Sequence, residues 1–229
     1  MIARFSFLFF MIFDIITIFP RIFDSYFNES ILKRAQKKKL VSIKTYNPRD
    51  FTKDKHKTVD DKPYGGGAGM VMIAEPVLRA FNSIPKKKKS KTIILSAKGS
   101  QFNQKLASKL AKLDQLILIS SRYEGIDERV KIALKTEEIS IGPYVLTDGD
   151  AAVQVVISAI TRLIPGVIKS ESLKEESFKS SDKTLEYPHY TRPEVLTYKG
   201  KKYRVPKVLI SGHHKKIEEW RRKKQKVEK

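Results

Sequence analysis

The sequence predicts an α/β protein whose core is a parallel β-sheet. Short runs rich in β-branched and other apolar residues alternate with stretches that have helical spacing, a pattern typical of parallel sheets covered on both faces. Hydrophobic residues make up 41% of the 229 positions, enough for a sizeable core. The predicted strands are 13–19, 41–46, 92–95, 116–120 and 139–141. The predicted helices are 21–38, 74–82, 103–113, 127–135 and 151–163.

The first predicted strand lies in an apolar opening, MIARFSFLFFMIFDIITIFP, that also resembles a signal peptide or membrane anchor. Asp14 interrupts this run, no small-residue cleavage site follows, and the length is marginal for a membrane span. Met11 offers a second start for the chain, with FDIITIF as a buried strand. We therefore expect no stable membrane association, although a membrane tether through residues 1–19 is the alternative.

The charge balance favours a polyanionic partner. Lys and Arg total 46 against 25 Asp and Glu, and residues 199–229 hold 13 basic and 3 acidic positions. Basic patches bind nucleic acids because phosphate neutralisation releases counterions; a lysine-rich proteome with solvated faces is the alternative. The chain has no cysteine and no HExxH-like histidine pair, so we predict neither a disulfide framework nor a protein-bound metal.

Glycine-bearing loops follow the predicted strands at 96–100, 120–129 and 140–150, and ligands of parallel sheets bind beyond the carboxyl ends of strands. A further segment, KPYGGGAGM at 62–70, lacks the Gly-Lys-Ser/Thr of a phosphate loop. It is either a flexible turn or a place where backbone approaches a ligand closely.

The segment RYEGIDER at 122–129 is dense in charge for a connecting loop. Asp127 is expected to cap the helix that follows. This leaves Arg122, Tyr123, Glu124 and Gly125 without a structural task, and an Arg–Glu pair beside an aromatic suits recognition of a planar polar ligand such as a purine edge.

Five segments, YGGGAGM, RYEGIDERV, SIGPYVL, PHYTRPEV and VLISGHHKKIEEWR, occur in an order that resembles the bacterial tRNA (guanine-N1)-methyltransferase family, TrmD, of the SPOUT superfamily. The resemblance runs from about Met11 to Arg222. It implies transfer of a methyl group from S-adenosylmethionine to N1 of the guanine immediately 3′ of the tRNA anticodon (position 37). A non-catalytic RNA-binding module with the same fold is the alternative.

The resemblance also implies an architecture. Residues 1–168 would form a knotted S-adenosylmethionine-binding domain with a C-terminal trefoil knot, and its functional start would be Met11. Residues 169–187 would form a flexible linker or lid, and 188–229 a small, shortened, basic helical domain that binds tRNA. The protein would be a cytoplasmic homodimer with each active site at the interface, and Mg²⁺ could assist.

By position, the resemblance assigns two catalytic residues. Arg162 would stabilise guanine, and Glu176 would act as the base where relatives carry Asp. The cofactor contacts would fall in the three loops after the strands. They are Leu95, Ser96, Ser121, Glu124, Gly125, Ile141, Gly142, Pro143, Tyr144, Val145, Leu146 and Gly149.

Overall fold

The computed structural model describes residues 10–169 and 186–225. The chain divides into two compact units, Met1–Ile168 and Lys169–Lys229. The first unit carries a five-stranded sheet with helices on both faces. The described part of the second unit carries a β-hairpin and two helices. Within the described residues, no helix is both long and apolar enough to cross a membrane.

The central sheet is entirely parallel and has the strand order β2-β1-β6-β5-β7. Its members are β1 Met11–Ile16, β2 Val41–Tyr46, β5 Ser90–Gln101, β6 Gln115–Ser120 and β7 Glu137–Ser140. A separate antiparallel pair, β3 Asp60–Asp61 and β4 Val71–Met72, brackets the glycine-rich segment. The prediction of an α/β fold on a mostly parallel sheet is therefore confirmed.

The helices of the first unit cover both faces of the sheet. They are α1 Asp24–Phe27, α2 Ser30–Lys37, α3 Ala74–Ser83, α4 Gln104–Leu110, α5 Glu128–Leu134 and α6 Gly149–Thr161. One apolar cluster joins α1, α2, α4 and α6 to the sheet, and a second joins α3 and α5 to its other face. Strand β6 shows why the sheet is covered twice, since all six of its residues are buried. Leu116 and Leu118 face the first cluster, and Ile117 and Ile119 face the second.

Asp14, which interrupts the apolar opening, is a buried member of β1. A buried carboxylate needs hydrogen-bond partners because it has lost its water. Gln115 Nε2 donates to Asp14 Oδ2 at 2.6 Å and also to the carbonyl of Pro85 at 2.9 Å. The acid is therefore part of the sheet's interior, as the strand interpretation of residues 13–19 requires.

The predicted helix 21–38 is wrong as one continuous element. The structure has a 3-10 turn, Pro20–Phe23, followed by α1 and α2, with a break at Asn28 and Glu29. Short polar side chains such as asparagine favour helix ends over helix interiors. The amphipathic spacing predicted the buried face but not this break.

The second unit contains an element that the sequence analysis did not predict. Strands β8 Val195–Tyr198 and β9 Lys201–Arg204 pair in an antiparallel hairpin. The stretch after it forms two helices, α7 Lys207–Ile210 and α8 His214–Lys224. Trp220 of α8 contacts the ring of Tyr190 edge-on, with ring centroids 6.2 Å apart. The described part of this unit is thus mixed in structure and not only helical.

Candidate active site

A cavity of about 380 Å³ opens beyond the carboxyl ends of β6 and β7 and alongside the middle of β5. Its volume lies in the range of small-molecule sites. Ten of the twelve residues assigned as cofactor contacts line it, and Gly142 and Pro143 do not. The ten are Leu95, Ser96, Ser121, Glu124, Gly125, Ile141, Tyr144, Val145, Leu146 and Gly149.

A hydrogen bond joins β5 to the residue after β6 beside this cavity. Ser121 follows β6, and its hydroxyl donates to the carbonyl of Leu95 in β5 at 2.7 Å. The bond fixes the spacing of the two backbones that form the floor of the cavity. A ligand there would meet preorganised backbone groups as well as the buried side chain of Leu95.

The loop 141–148 forms one wall of the cavity, and Gly142 determines where the Tyr144 ring of this loop can lie. A Cβ atom at Gly142 would lie 2.3 Å from the Tyr144 ring, so only glycine leaves room for that ring. Ser140 Oγ donates to the carbonyl of Gly142 at 2.8 Å, and the Tyr144 amide donates to the same carbonyl at 2.9 Å. Gly142 therefore braces Tyr144, whose half-exposed ring lines the cavity.

The glycine-rich segment packs against RYEGIDER. The Glu124 amide donates to the carbonyl of Met70, and the Met72 amide donates to the carbonyl of Gly125, both at 2.9 Å. A Cβ at Gly69 would lie 2.5 to 2.9 Å from three atoms of the Glu124 side chain. Gly69 thus leaves room for the Glu124 side chain at the cavity, so the close approach seen here is to a side chain, whereas the sequence analysis named a ligand.

Arg122 has a structural task, contrary to the expectation from the sequence. Its guanidinium pairs with Asp148 at 3.1 Å and with Asp150 at 3.2 Å, and it lies 4.3 Å from the centre of the Phe19 ring. Asp150 is fully buried and also accepts a hydrogen bond from the Thr17 hydroxyl at 2.8 Å. These bonds fasten the start of α6 to the end of β6.

The start of α6 also approaches β6 through its backbone. The Gly149 amide donates to the carbonyl of Ser121 at 2.8 Å, and a Cβ at Gly149 would lie 2.8 Å from the Ser121 amide nitrogen. Asp148 caps the helix by accepting from the amides of Asp150 and Ala151. Free amides at this helix start are thereby satisfied by the chain itself.

A charged wall on the β7 side of the cavity was missed by the sequence analysis. Lys131 Nζ lies 2.6 Å from Glu138 Oε2, and Lys98 Nζ lies 3.8 Å from Glu138 Oε1. Burial alone would raise the pKa of Glu138, but hydrogen bonds from Lys131 and Ser96 and the charge of Lys98 outweigh it and hold that pKa below its usual range. Glu138 lies within β7 and Lys131 on α5, so neither follows a strand end and the strand-end rule could not have found them.

The capping prediction for Asp127 is confirmed. Its side chain accepts from the Arg129 amide at 2.9 Å at the start of α5. Hydrogen bonds from Arg129 hold the pKa of this carboxyl below its usual range. Tyr123 has a partner too, since its pKa is raised by partial burial and by the charge and hydrogen bond of Asp60.

Of the two predicted catalytic residues, only Arg162 can be placed, and it is not among the residues that line the cavity. Arg162 follows the far end of α6, thirteen positions after Gly149, which places the two backbones roughly 20 Å apart at 1.5 Å per residue. Glu176 lies outside the described residues. In the two described ranges, no cluster of three or more His, Cys, Asp or Glu side chains could hold a metal ion.

Fold and site together define an α/β protein with a small-molecule cavity at the carboxyl edge of a parallel sheet. Comparison with known proteins gives the family. The family described as "tRNA (Guanine-1)-methyltransferase TrmD" matches residues 11–229, and the chain belongs to it.

Individual relatives are similar over most of their own length. Proteins named tRNA (guanine-N(1)-)-methyltransferase from Carboxydothermus hydrogenoformans and Dictyoglomus turgidum are 54% and 55% identical over 211 residues. These alignments cover 92% of this chain and 81% and 83% of the two relatives. The protein of that name from Clostridioides difficile is 50% identical over 216 residues, 93% of this chain and 91% of its own.

Proposed function

We propose that this chain is a methyltransferase that moves a methyl group from S-adenosylmethionine to N1 of guanine in tRNA. Family membership over residues 11–229 supports the reaction. The observation that carries the site is the convergence of ten of the twelve assigned cofactor residues, from strand β5 and the segments after β6 and β7, on one cavity. We place the acceptor guanine immediately 3′ of the anticodon, as the resemblance implies.

The residues around the cavity fit the methyl donor. Leu95, Ile139 and Leu146 offer apolar surface for a purine and ribose, and Tyr144 offers a ring face. The acid Glu124 suits the positive groups of the donor. The bound donor would supply an electrophilic methyl group, and the chain would orient it and exclude water.

Methylation at N1 requires removal of a proton, because the neutral N1–H of guanine has no free lone pair for the attack. We assign this proton transfer to the carboxylate of Glu176. As the proton leaves, negative charge gathers on O6, and a guanidinium beside it lowers the barrier. We assign that role to Arg162.

The position of Arg162 supports an active site shared between two subunits. Since it lies roughly 20 Å along α6 from Gly149, it is badly placed for the cavity of its own chain. We therefore propose that Arg162 of one subunit serves the cavity of the other in a homodimer.

An exposed apolar surface supports this homodimer. Val155 on α6 and Phe19, Ile22 and Tyr26 in the segment beside it are each 40 to 46% exposed. Tyr26 is held against α6 by its hydroxyl, 3.0 Å from Ser158 Oγ. Exposed apolar patches of this kind mark protein interfaces.

We also propose the trefoil knot. Strand β7 pairs with β5 both before and after a register shift between Leu95 and Ser100. The chain then passes from β7 at the sheet edge to Gly149 beside Ser121, at the end of β6. The loop 141–148 must cross the end of β5 to do so, as a knotted connection would.

The basic C-terminal region supports tRNA as the partner, since residues 199–229 hold 13 basic and 3 acidic positions. With tRNA as substrate, we place the activity in the cytoplasm. We further propose that 169–187 is a lid or linker to a tRNA-binding region at 188–229. Assistance by Mg²⁺ stays a prediction that omission of Mg²⁺ from the assay would test.

The test is single-turnover methyl transfer to two tRNA transcripts that differ only in the base 3′ of the anticodon, G or A. Nucleoside analysis should find N1-methylguanosine in the first and no methylation in the second. Binding of the guanine-bearing tRNA without any methylation would contradict the proposal and favour a non-catalytic RNA-binding module.

A further inference from the structure

The hairpin β8–β9 is exposed almost throughout. Seven of its eight strand residues are exposed, and Val195 is half-buried. The strands are joined by Lys199 and Gly200, both with positive φ, of 47° and 73°. A two-stranded hairpin is at best marginally stable alone in water, so a face without a partner is unusual.

The register sorts the hairpin side chains onto two faces. Leu196 pairs with Tyr203, and Tyr198 pairs with Lys201, so these four side chains share one face. The exposed fractions of Leu196, Tyr198 and Tyr203 are 53%, 59% and 53%. The two tyrosines are diagonal neighbours, roughly 7–8 Å apart. We call this surface the tyrosine face.

The charge of the hairpin indicates what would cover this face. Positions 195–204 include Lys199, Lys201, Lys202 and Arg204 and no acidic residue. Lys199 Nζ lies 5.6 Å from the centre of the Tyr198 ring. Tyrosine is enriched in protein–protein interfaces but lysine is depleted there, whereas aromatic rings beside cations are typical of surfaces that bind unpaired nucleotides.

We propose that the tyrosine face binds unpaired nucleotides of the tRNA substrate, with Tyr198 and Tyr203 stacking on bases and the neighbouring lysines contacting phosphates. This inference rests on the proposed function and adds a binding surface in the second unit. Stacking requires a base whose face is open, so the ligand is a tRNA loop and not a helical stem.

The two kinds of contact can be separated by experiment on the full-length chain. The Kd for the guanine-bearing tRNA transcript is measured by fluorescence anisotropy at several KCl concentrations. The double variant Tyr198→Ala/Tyr203→Ala should bind at least about 25-fold more weakly, because each of the two lost stacks weakens binding about fivefold or more. Its salt dependence should stay that of the wild type. Tyr198→Phe/Tyr203→Phe, which keeps both rings, should bind like the wild type.

The charge variant should instead change the salt dependence of tRNA binding. Lys199→Gln/Lys201→Gln, which removes the lysine beside the Tyr198 ring and the lysine on the tyrosine face, should lower the slope of log Kd against log salt by roughly 0.7–0.9 per lost phosphate contact. Thr197→Ala, on the opposite face of the hairpin, is the matched control and should leave both the Kd and the slope unchanged. S-adenosylmethionine affinity should be that of the wild type in all variants.

Three outcomes would overturn the inference. The alanine pair could bind tRNA as tightly as the wild type, the phenylalanine pair could lose as much affinity as the alanine pair, or the alanine pair could change self-association and leave tRNA affinity intact. The last result would make the tyrosine face an interface between copies of the chain. Since wild-type methyl transfer is measured separately, each outcome is distinguishable from a failure of the proposed function.

Discussion

Replacing Gly69 by alanine tests whether the glycine-rich segment positions Glu124. Gly69 has a φ of +78°, and an added Cβ would lie 2.5 Å from Glu124 Oε1 and 2.6 Å from Glu124 Cγ. Carbon atoms in contact prefer separations of about 3.5–4.0 Å. The Glu124 side chain must therefore shift by about 1 Å, or the loop must move away from it.

The magnitude follows from two separable effects. An alanine in the left-handed region costs roughly 1–2 kcal/mol of stability, wherever it stands in the loop. A displacement of about 1 Å in a positioning group can lower the rate about a hundredfold. We therefore expect Gly69→Ala to lose about a hundredfold in kcat/KM for methyl transfer, with weaker S-adenosylmethionine binding and only a modest loss of stability.

Gly65→Ala is the matched control. Gly65 has a similar φ of +85°, but a Cβ there would meet nothing within 4 Å. Both variants should lose similar free energy of unfolding in denaturant titrations, and only Gly69→Ala should lose activity in steady-state methylation assays. Equal kcat/KM values for the two variants would refute the link from Gly69 through Glu124 to the reaction.

Three further predictions concern the proposed base Glu176, the ion pairs of Arg122 and the start of α6 at Gly149. Glu176→Gln should abolish single-turnover methyl transfer while S-adenosylmethionine still binds in calorimetry, since an amide cannot accept the N1 proton; near-normal turnover would move the base elsewhere. Arg122→Met should lower the free energy of unfolding by about 3–5 kcal/mol, because the buried Asp150 loses its cation. An unchanged denaturation midpoint would show that the Arg122 ion pairs contribute nothing to stability. Gly149→Ala should lower both the melting temperature and cofactor affinity, since its Cβ would lie 2.8 Å from the Ser121 amide nitrogen; wild-type values for both would argue against a fixed approach of α6 to β6.

The sheet could be predicted from the sequence because its signal is local. The run before Ser120 is apolar on both faces, and β6 is buried on both faces as that pattern indicates. The strand-end rule then placed the segments after β6 and β7 at one edge, but the prediction of a third loop at 96–100 is wrong, because these residues continue β5 and pair again with β7. The resemblance added the particular site residues, ten of which line the cavity.

Contacts between distant parts of the chain could not be predicted in this way. Gly69 and Glu124 meet because β4 and the turn at Gly125 exchange backbone hydrogen bonds, which no local spacing reveals. The pair of Arg122 with Asp150 likewise depends on where α6 begins.

The hairpin β8–β9 was not predicted for a different reason, because a turn that favours a hairpin was present in the local sequence. Lys199 and Gly200 form a two-residue turn with positive φ at both positions, flanked by strands that carry Tyr198 and Tyr203. Such a turn favours a β-hairpin. The lysines at 199, 201 and 202 concealed the alternation of apolar and polar residues that is typical of strands.

A crystal structure with S-adenosylhomocysteine tests most directly whether methyl donor and guanine meet at the cavity beside β5, β6 and β7. We predict that the ligand occupies the cavity, with its adenine against the loop 141–148 and its sulfur facing open space for the base. The partner subunit's Arg162 should approach that space across the dimer interface. A ligand bound elsewhere on the chain, with this cavity empty, would contradict the assignment.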